Sequence, residues 1–482
     1  MEESNKVTHK KMGLWTLVMI IFVPTFGFGN ITTNATALGP TAIPSWLIVS
    51  ILFFLPLSIM MAELASANQD GKAGLYTWIE KPIGHTWAFI GTWSYFIANL
   101  FYLQMVFARI PVMVSWTIFG ENRFTDPKLL IIVSIVLAVV MTWIATLGVE
   151  KFGKISDFGG KLTLAATVIF IFFAIVGVMV GKAPSETTIN MDTMMPEFNS
   201  AYFSTFSWLI LAVAGSEIAG TYITQVENPK KTFPKGVIIA TVFVAGAYII
   251  GSLAVSFVAS PETITKAGIQ DSGYLVYKLL AMKWGLGTGK VAVQIYAGIY
   301  TITSIAAYVT WIESPLRAMF SEVPKGTFPK VMVKQREDGT LVNALWIQCV
   351  VLMVLVSAPL FGLKGINAFF QLLTNLSSLS LVIPYVVLAY AYLRYRLAGN
   401  HPPFEFFKSR GTIIVVSTIV LILGIMAFFG AGWDSIASAT TAGAAVSAII
   451  SVYGGPVILI VAGFIITRIS VKITENKDRL ED

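Results

Sequence analysis

The stretch FVPTFGFGNITTN, residues 22–34, interrupts a run of apolar residues long enough to cross a membrane. It contains a proline, two glycines and three threonines, which are residue types that weaken a helix interior. In a span covering 14–38, Gly27, Gly29 and Asn30 fall at mid-membrane depth. Unwound backbone at that depth is tolerated only where it is buried in protein or lines a water-filled cavity. The stretch therefore predicts a helix that is broken near the middle of the bilayer.

The composition places the rest of the chain in the same environment. Of 482 residues, 56% are hydrophobic and 12% are charged, and the mean hydropathy is +0.75. Soluble domains carry about 25% charged residues. A single cysteine excludes a disulfide framework, three histidines offer no convincing zinc site, and no nucleotide-hydrolysing motif is found. We expect a membrane protein that is not an enzyme and that binds no cofactor or metal.

Repeated apolar runs of about 20 residues, without the alternating strands of a membrane β-barrel, predict an all-α integral membrane protein. The segment 260–290, between two of these runs, mixes apolar and cationic residues as an interfacial helix does. The twelve expected transmembrane helices cover 14–38, 42–65, 86–118, 129–149, 158–181, 201–225, 236–259, 289–319, 341–361, 366–394, 412–431 and 445–469.

The basic residues set the expected orientation. If both termini are cytoplasmic, 24 of the 33 lysines and arginines fall inside, eight fall outside, and Arg109 lies within the third span. The net charge of +7 then reflects membrane topology and contacts with lipid headgroups, not a nucleic-acid surface. We expect cytoplasmic tails at 1–13 and 470–482, a lipid bilayer around the spans, and no nucleic-acid partner.

A second defect lies in the sixth span. The sequence WLILAVAGSEIAGTY, residues 208–222, places Gly215, Ser216 and Glu217 near the middle of that span. Two interrupted spans in corresponding positions point to the binding site of a secondary transporter. Each half contains five spans, an odd number, so related halves must insert in opposite directions. The predicted units are a first inverted repeat at 14–181, a second at 201–394, and two extra spans at 412–469.

The two breaks would supply binding groups from the backbone itself. A half-helix exposes free N–H groups at its start and free C=O groups at its end. The N–H end suits a carboxylate, and the C=O end suits an ammonium group. This chemistry favours a zwitterionic or cationic amine over a sugar. The alternative is that the glycines serve close packing between helices, as they often do in membranes.

Several ionisable residues lie in or beside the spans, where such residues are usually functional. Glu217 either couples protons to transport or holds the unwound segment in place. Lys161 is either a second proton-coupling candidate or a cytoplasmic anchor, and we favour the anchor. Arg109 is expected to extend to the outer interface rather than to pair with a substrate. For Glu63 and Glu313, we favour a solvated helix end over a gating salt bridge.

Three further residues are candidates for the substrate pathway. Trp93 in the third span and Trp311 in the eighth offer aromatic faces to an ammonium group or an apolar side chain. Ser377 in the tenth span either lines the pathway or bonds to its own helix. Because the chain has 33 Phe, 16 Tyr and 12 Trp, most of its aromatic residues serve packing.

Three stretches carry a family resemblance: GSEIAGTYITQVENPKKTFPKG (215–236), AELASANQDGKAGLYTWIEKPIG (62–84) and WIESPLRAMF (311–320). They resemble the sixth-span signature, the loop after the second span and the end of the eighth span of the amino acid–polyamine–organocation (APC) superfamily. Leu211 makes the chain most similar to the bacterial glutamate:GABA antiporter type, because arginine:agmatine exchangers carry Trp there. The resemblance implies a LeuT-type fold with a 5+5 inverted repeat and two extra C-terminal helices.

The resemblance also implies a function: alternating-access exchange of an amino acid for a related amine or decarboxylation product. A proton-coupled amino acid symporter and an agmatine–putrescine-like amine exchanger are alternatives, and a channel or membrane sensor is less favoured. Ala307 stands where glutamate exchangers have a second carboxylate. The implied location is the bacterial plasma (inner) membrane, as a monomer or a homodimer. The substrate-binding candidates are Gly27, Phe28, Gly29, Asn30, Trp93, Leu211, Gly215, Ser216, Glu217 and Trp311, with Ser377 along the pathway.

Overall fold

A computed structural model describes residues 12–68, 74–124, 126–147, 150–215, 226–323, 326–336, 339–357 and 366–481. Within these ranges the secondary structure is helical and no strand forms, apart from an isolated bridge between Met12 and Val226. The prediction of an all-α chain is therefore confirmed for the part that the structure describes. Ser216 and Glu217 lie outside it.

The helices follow one another through short connections. The first half contains α1 (Leu14–Thr25), α2 (Phe28–Leu38), α3 (Ala42–Val49), α4 (Leu55–Ala67), α5 (Leu75–Ile83), α6 (His85–Phe119), α7 (Pro127–Thr146), α8 (Glu150–Met179) and α9 (Met191–Met194). The rest contains α10 (Ser200–Ala212), α11 (Pro229–Val258), α12 (Pro261–Lys283), α13 (Lys290–Glu322), α14 (Lys330–Val333), α15 (Val342–Ser357), α16 (Ile366–Leu397), α17 (Arg410–Gly430), α18 (Trp433–Ala437), α19 (Ala442–Ile449) and α20 (Gly455–Glu481).

Every one of the twelve expected spans overlaps one or two of these helices. In the described ranges, nine helical segments are long and apolar enough to cross a membrane on their own, and three shorter apolar helices accompany them. The shorter ones are Leu14–Val23, Ser200–Ala212 and Val342–Ser357. The chain is thus a multi-pass membrane protein. The helix expected within 260–290 is present as α12, which bends at Gly268, where φ is 76°.

The first span is broken, as its sequence predicts. Phe26 and Gly27 are extended, with φ/ψ of −91°/128° and −144°/130°. The break is shorter than expected and begins one residue earlier, because Gly29 and Asn30 already belong to α2. Backbone bonds run up to both sides of it: Phe26 N–H donates to Phe22 O at 2.8 Å, and Asn30 N–H donates to Gly27 O at 2.9 Å. The interruption therefore leaves few backbone groups free, chiefly the N–H groups in the first turn of α2.

A buried tyrosine on α11 satisfies carbonyl groups at this break. The Tyr248 hydroxyl lies 2.7 Å from Thr25 O, at the end of α1, and 2.7 Å from Ala212 O, at the end of α10. A hydroxyl has a single proton, so the two carbonyls share it. The Tyr248 oxygen also accepts a hydrogen bond from Asn30 Nδ2 at 3.0 Å. One side chain thus joins the ends of α1 and α10 to the first turn of α2.

The position of Tyr248 is fixed by its neighbours. The Trp46 ring of α3 stacks on the Tyr248 ring, with centroids 4.2 Å apart and planes 12° apart. Trp46 Nε1 in turn donates to Ser252 Oγ at 3.0 Å. Both rings are fully buried. Because Ser252 lies one turn after Tyr248 on α11, these contacts hold the hydroxyl at the height of the break.

The sixth span also stops within the membrane. α10 has 13 residues, which is about 20 Å of helix and too short for a hydrocarbon core of about 30 Å. It ends in a turn at Val213–Gly215, and Gly215 has a φ of 119°, a conformation that favours glycine. The expected interruption near Gly215 therefore begins where the sequence placed it, and the residues that follow it lie outside the described ranges.

A buried ion pair connects α4 with α16. Glu63 is fully buried and pairs with Arg396, which is also buried. The Glu63 carboxylate further accepts hydrogen bonds from Tyr392 Oη at 2.8 Å and from the backbone N–H groups of Phe406 and Phe407 at 2.8 and 2.9 Å. The prediction of a solvated end at Glu63 is wrong, because the loop before α17 folds over this carboxylate.

Replacing Tyr248 with Phe removes the hydroxyl and keeps the ring. Two helix-end carbonyls and the Asn30 amide then lose a partner, and each unsatisfied buried group costs about 1–3 kcal/mol. We expect a lower melting temperature for the purified Tyr248→Phe protein. Tyr390→Phe, at an exposed position, should leave the melting temperature unchanged. Equal stability of wild type and Tyr248→Phe would contradict the capping role.

Replacing Glu63 with Ala removes the buried counter-ion of Arg396 and leaves it with the partly exposed Glu405, whose carboxylate lies 3.3 Å from Arg396 Nη2. Breaking a buried pair in this way costs about 3–5 kcal/mol. The matched control is Glu121→Ala, since Glu121 and Arg123 form a pair in which both side chains are 57% exposed. Such pairs contribute about 0–1 kcal/mol. Thermal unfolding should separate the two variants clearly, and similar losses in both would argue against a structural network at Glu63.

Candidate binding site

Two adjoining cavities meet at the break in the first span. The larger one, the α8 cavity, has a volume of about 350 Å³ and extends from the break towards α8 and α13. The smaller one, the α10 cavity, has a volume of about 240 Å³ and extends towards α10 and α16. Both are lined by Phe26, Gly27, Tyr102, Tyr300 and Trp311. The broken backbone is therefore the shared wall of the two spaces.

The start of α2 faces these cavities. Gly27 precedes the first helical residue and has no side chain that caps the helix. Phe28 lines the α8 cavity, and Gly29 lines the α10 cavity. Free N–H groups and the partial positive charge of a helix start attract anions. The geometry therefore offers a carboxylate a docking point at Gly27–Gly29.

The glycines at the break are not required for tight packing. A Cβ atom on Gly27 would lie 3.5 Å from Asn30 Nδ2, and one on Gly29 would lie 3.7 Å from Arg109 Nη1, both ordinary contact distances. Gly251 on α11 differs, since a Cβ there would lie only 2.3 Å from Ile31 Cδ1. Close packing thus explains Gly251, while Gly27 and Gly29 leave the helix start open to the cavities.

The opposite wall of the α10 cavity comes from the end of α10. Leu211 and Gly215 line it, as expected, together with Ala212 and Ala214. Asn30 lines the same cavity, but its Nδ2 already donates to Tyr248. The Asn30 amide also lies 3.4 Å from Ala212 O, so it links the first turn of α2 to the end of α10, and both elements line the same cavity.

Trp93 does not line either cavity, contrary to expectation. It is buried against α20, where its Nε1 donates to Leu459 O at 2.8 Å. Nine residues separate Trp93 from Tyr102, which corresponds to opposite faces of a helix with 3.6 residues per turn. The cavity-lining face of α6 carries Tyr95, Asn99, Tyr102 and Arg109 instead.

The other predicted pathway residues behave differently from one another. Trp311 lines both cavities, and its ring centroid lies 5.7 Å from that of Tyr102. Ser377 lines the α10 cavity, but its hydroxyl donates across to Ala98 O on α6 at 3.0 Å, not to its own helix. Lys161 is exposed on α8 and is absent from the cavity walls, although Gly160 beside it lines the α8 cavity.

Arg109 is placed differently from the sequence-based expectation. It does not extend to the outer interface but lines both cavities and a third space of about 30 Å³ that adjoins α12. Tyr102 and Arg109 are seven residues apart, which is two helical turns, so the inward stripe of α6 includes both. The helical spacing of Tyr95, Asn99, Tyr102 and Arg109 in the sequence already indicates that they share one face of α6. No comparable spacing in the nearby sequence indicates that Tyr248 and Tyr300 lie at the site.

The described part of the chain shows no group of three His, Cys, Asp or Glu residues placed to hold a metal. Arg109 is also the one charged side chain among the described residues of the cavity walls. Besides this guanidinium group, the walls carry helix ends, aromatic rings, and hydroxyl and amide side chains such as Thr163, Ser304 and Asn99. Such a surface suits recognition of a small polar molecule.

Comparison with known proteins gives the site its context. The chain is 26% identical over 425 residues to the aspartate/glutamate permease AcaP of Lactococcus lactis subsp. cremoris, an alignment that covers 87% of this chain and 86% of the relative. It is 24% identical to the probable agmatine/putrescine antiporter AguD of Lactococcus lactis subsp. lactis, with 86% of both chains covered. It is 21% identical to a glutamate/gamma-aminobutyrate antiporter of the same subspecies, with 80% and 76% covered.

A family model described as amino acid permease matches residues 12–433, which includes every helix that lines the two cavities. The relatives' names differ in substrate but agree in describing transporters. The chain belongs to the amino acid permease family, within the APC superfamily of membrane transporters.

Proposed function

We propose that this chain is a secondary transporter that exchanges an amino acid for a related amine by alternating access. The observation that carries the proposal is that two helix ends of opposite polarity line one cavity. The open N–H end of α2 suits the carboxylate of an amino acid. The end of α10, at Leu211–Gly215, suits its ammonium group.

The dimensions of the site agree with a small solute. The α10 cavity that both helix ends line has a volume of about 240 Å³ and adjoins the α8 cavity of about 350 Å³, whereas small-molecule sites occupy roughly 300–1,000 Å³. Tyr102, Tyr300 and Trp311 supply aromatic faces for the rest of the molecule.

The architecture that we propose is an inverted repeat of 14–181 and 201–394, with both termini in the cytoplasm. The first helix of each proposed unit is short and ends at Thr25 in α1 and at Ala212 in α10, which supports this division. Binding sites of secondary transporters lie between such discontinuous helices, at the interface of the repeats. This similarity between the two units and the family resemblance support a LeuT-type arrangement.

Proton-coupled symport is the second candidate, with Glu217 or Lys161 as the proton carrier. Amine–amine exchange fits the site less well, because a doubly charged cation would enter a cavity walled by Arg109. Two like charges within a membrane interior repel strongly. An exchanged amine that keeps a carboxylate avoids this repulsion.

Counterflow in proteoliposomes separates exchange from symport. We expect radiolabelled amino acid to enter vesicles preloaded with unlabelled substrate, and to enter empty vesicles much more slowly. A pH gradient across empty vesicles should produce little uptake. Strong gradient-driven uptake without internal substrate would instead establish the symporter.

Replacing Gly27 with Asp tests the helix start directly. An Asp at this position caps the free N–H groups of α2 with its own carboxylate and repels an incoming one. We expect apparent substrate affinity to fall by at least about tenfold, which corresponds to roughly 1.4 kcal/mol, while the protein still folds. The matched control is Gly13→Asp, because Gly13 precedes α1 in the same way and a Cβ there meets nothing within 4 Å. Unchanged affinity in Gly27→Asp would contradict carboxylate binding at this end.

A further inference from the structure

Arg109 carries a positive charge at the centre of the molecule. It projects from α6 towards the first turn of α2, where a Cβ on Gly29 would lie 3.7 Å from its Nη1. All three spaces around the break include it in their walls. A charge at this depth is expensive, and such residues usually mark a substrate or ion pathway.

The guanidinium group has no fixed anionic partner among the described residues. Its buried Nε has no hydrogen-bond partner there. Asp271 on α12 is committed elsewhere, since its carboxylate accepts from Trp116 Nε1 at 2.6 Å and from Asn122 Nδ2 at 3.1 Å. The Phe370 ring, with its centroid 6.0 Å from Arg109 Cζ, gives only a weak cation–π contact.

The site therefore contains two groups that attract anions, the start of α2 and Arg109. They adjoin each other at Gly29, but they differ in kind: one is a set of backbone N–H groups, the other a planar fork that binds carboxylates bidentately. The α-carboxylate of an amino acid occupies one of them. A substrate with a second carboxylate satisfies both, and a neutral substrate leaves the guanidinium unpaired.

We propose that Arg109 determines specificity by binding the side-chain carboxylate of a dicarboxylic amino acid, an inference that rests on the proposed transport function. The exchanged product fits the same rule. Loss of the α-carboxylate as carbon dioxide from such an acid leaves an amine that still carries the other carboxylate. Both solutes then present an anionic group to Arg109, and neither brings a net positive charge into the cavity.

Competition between acids and their amides tests the assignment in the full-length protein. Unlabelled L-glutamate and L-glutamine, and L-aspartate and L-asparagine, compete against labelled substrate in counterflow. Wild type should prefer each acid over its amide, and Arg109→Gln should lower that acid/amide ratio by about tenfold or more. The control is Arg123→Gln, at an exposed arginine outside the cavities, which should keep the wild-type ratio.

Arg109→Lys provides a second variant if Arg109→Gln does not fold. Lysine keeps the charge but lacks the bidentate fork, so the acid/amide ratio should fall here as well, by a smaller factor. An unchanged ratio in the folded variants, or a parallel loss for acids and amides, would overturn the role of Arg109. If wild type instead shows counterflow with neutral amino acids and no competition by acids, the specificity proposal fails and the transport proposal stands. If no amino acid supports counterflow or gradient-driven uptake, the transport function itself fails.

Discussion

A helix that stops inside a bilayer leaves carbonyl and N–H groups that lipid cannot satisfy. The Tyr248 hydroxyl supplies a hydrogen bond to the carbonyl groups. It reaches Thr25 O and Ala212 O at equal distance and accepts from Asn30. The ends of two half-helices from different parts of the chain therefore depend on one side chain of α11. Its stacking on Trp46 explains why an irregular backbone can persist at this depth.

The carbonyl groups and the N–H groups at the break differ in how far their hydrogen bonds are satisfied. Carbonyls at the ends of α1 and α10 have a partner in Tyr248, which also contacts the Gly27 backbone N–H, whereas Gly27 offers no side chain to cap the N–H groups that follow it in α2. Carbonyl oxygens keep a second lone pair, so the end of α10 can still attract an ammonium group. The unsatisfied side is nevertheless the one that attracts anions, and Arg109 adds to it. The electrostatics of the cavity are therefore biased towards carboxylates more strongly than two free helix ends would imply.

The sequence predicts the position of the first interruption along the chain well and the direction of side chains poorly. It places the first interruption within one residue of Phe26–Gly27, because glycine-rich backbone at mid-span is a local signal. The sequence assigns Trp93 and Arg109 to the third span but predicts the wrong surroundings for both side chains. Hydropathy is averaged over all faces of a helix, so it does not show which neighbours a side chain contacts. Counting helical turns along α6 from Tyr95 corrects both assignments. Tyr248 was missed for another reason: its partners are 36 and 223 residues away, and no local pattern encodes such contacts.

The hydrogen bonds of Tyr248 and the ion pair between Glu63 and Arg396 constrain how the molecule can move during the proposed alternating access. Glu63 and Arg396 hold α4, α16 and the loop before α17 together through a buried charge and several hydrogen bonds. Breaking that network is costly, so α4 and α16 should move as one body. Phe26 and Gly27 are extended residues between two helices, and such positions absorb backbone rotation easily. The α1 half-helix can therefore tilt about the break while the Tyr248 hydroxyl stays hydrogen-bonded to Thr25 O at its end. A hinge next to the proposed carboxylate-binding end of α2 would couple substrate occupancy to that tilt, because the residues that we propose to bind the solute are the first ones beyond the hinge.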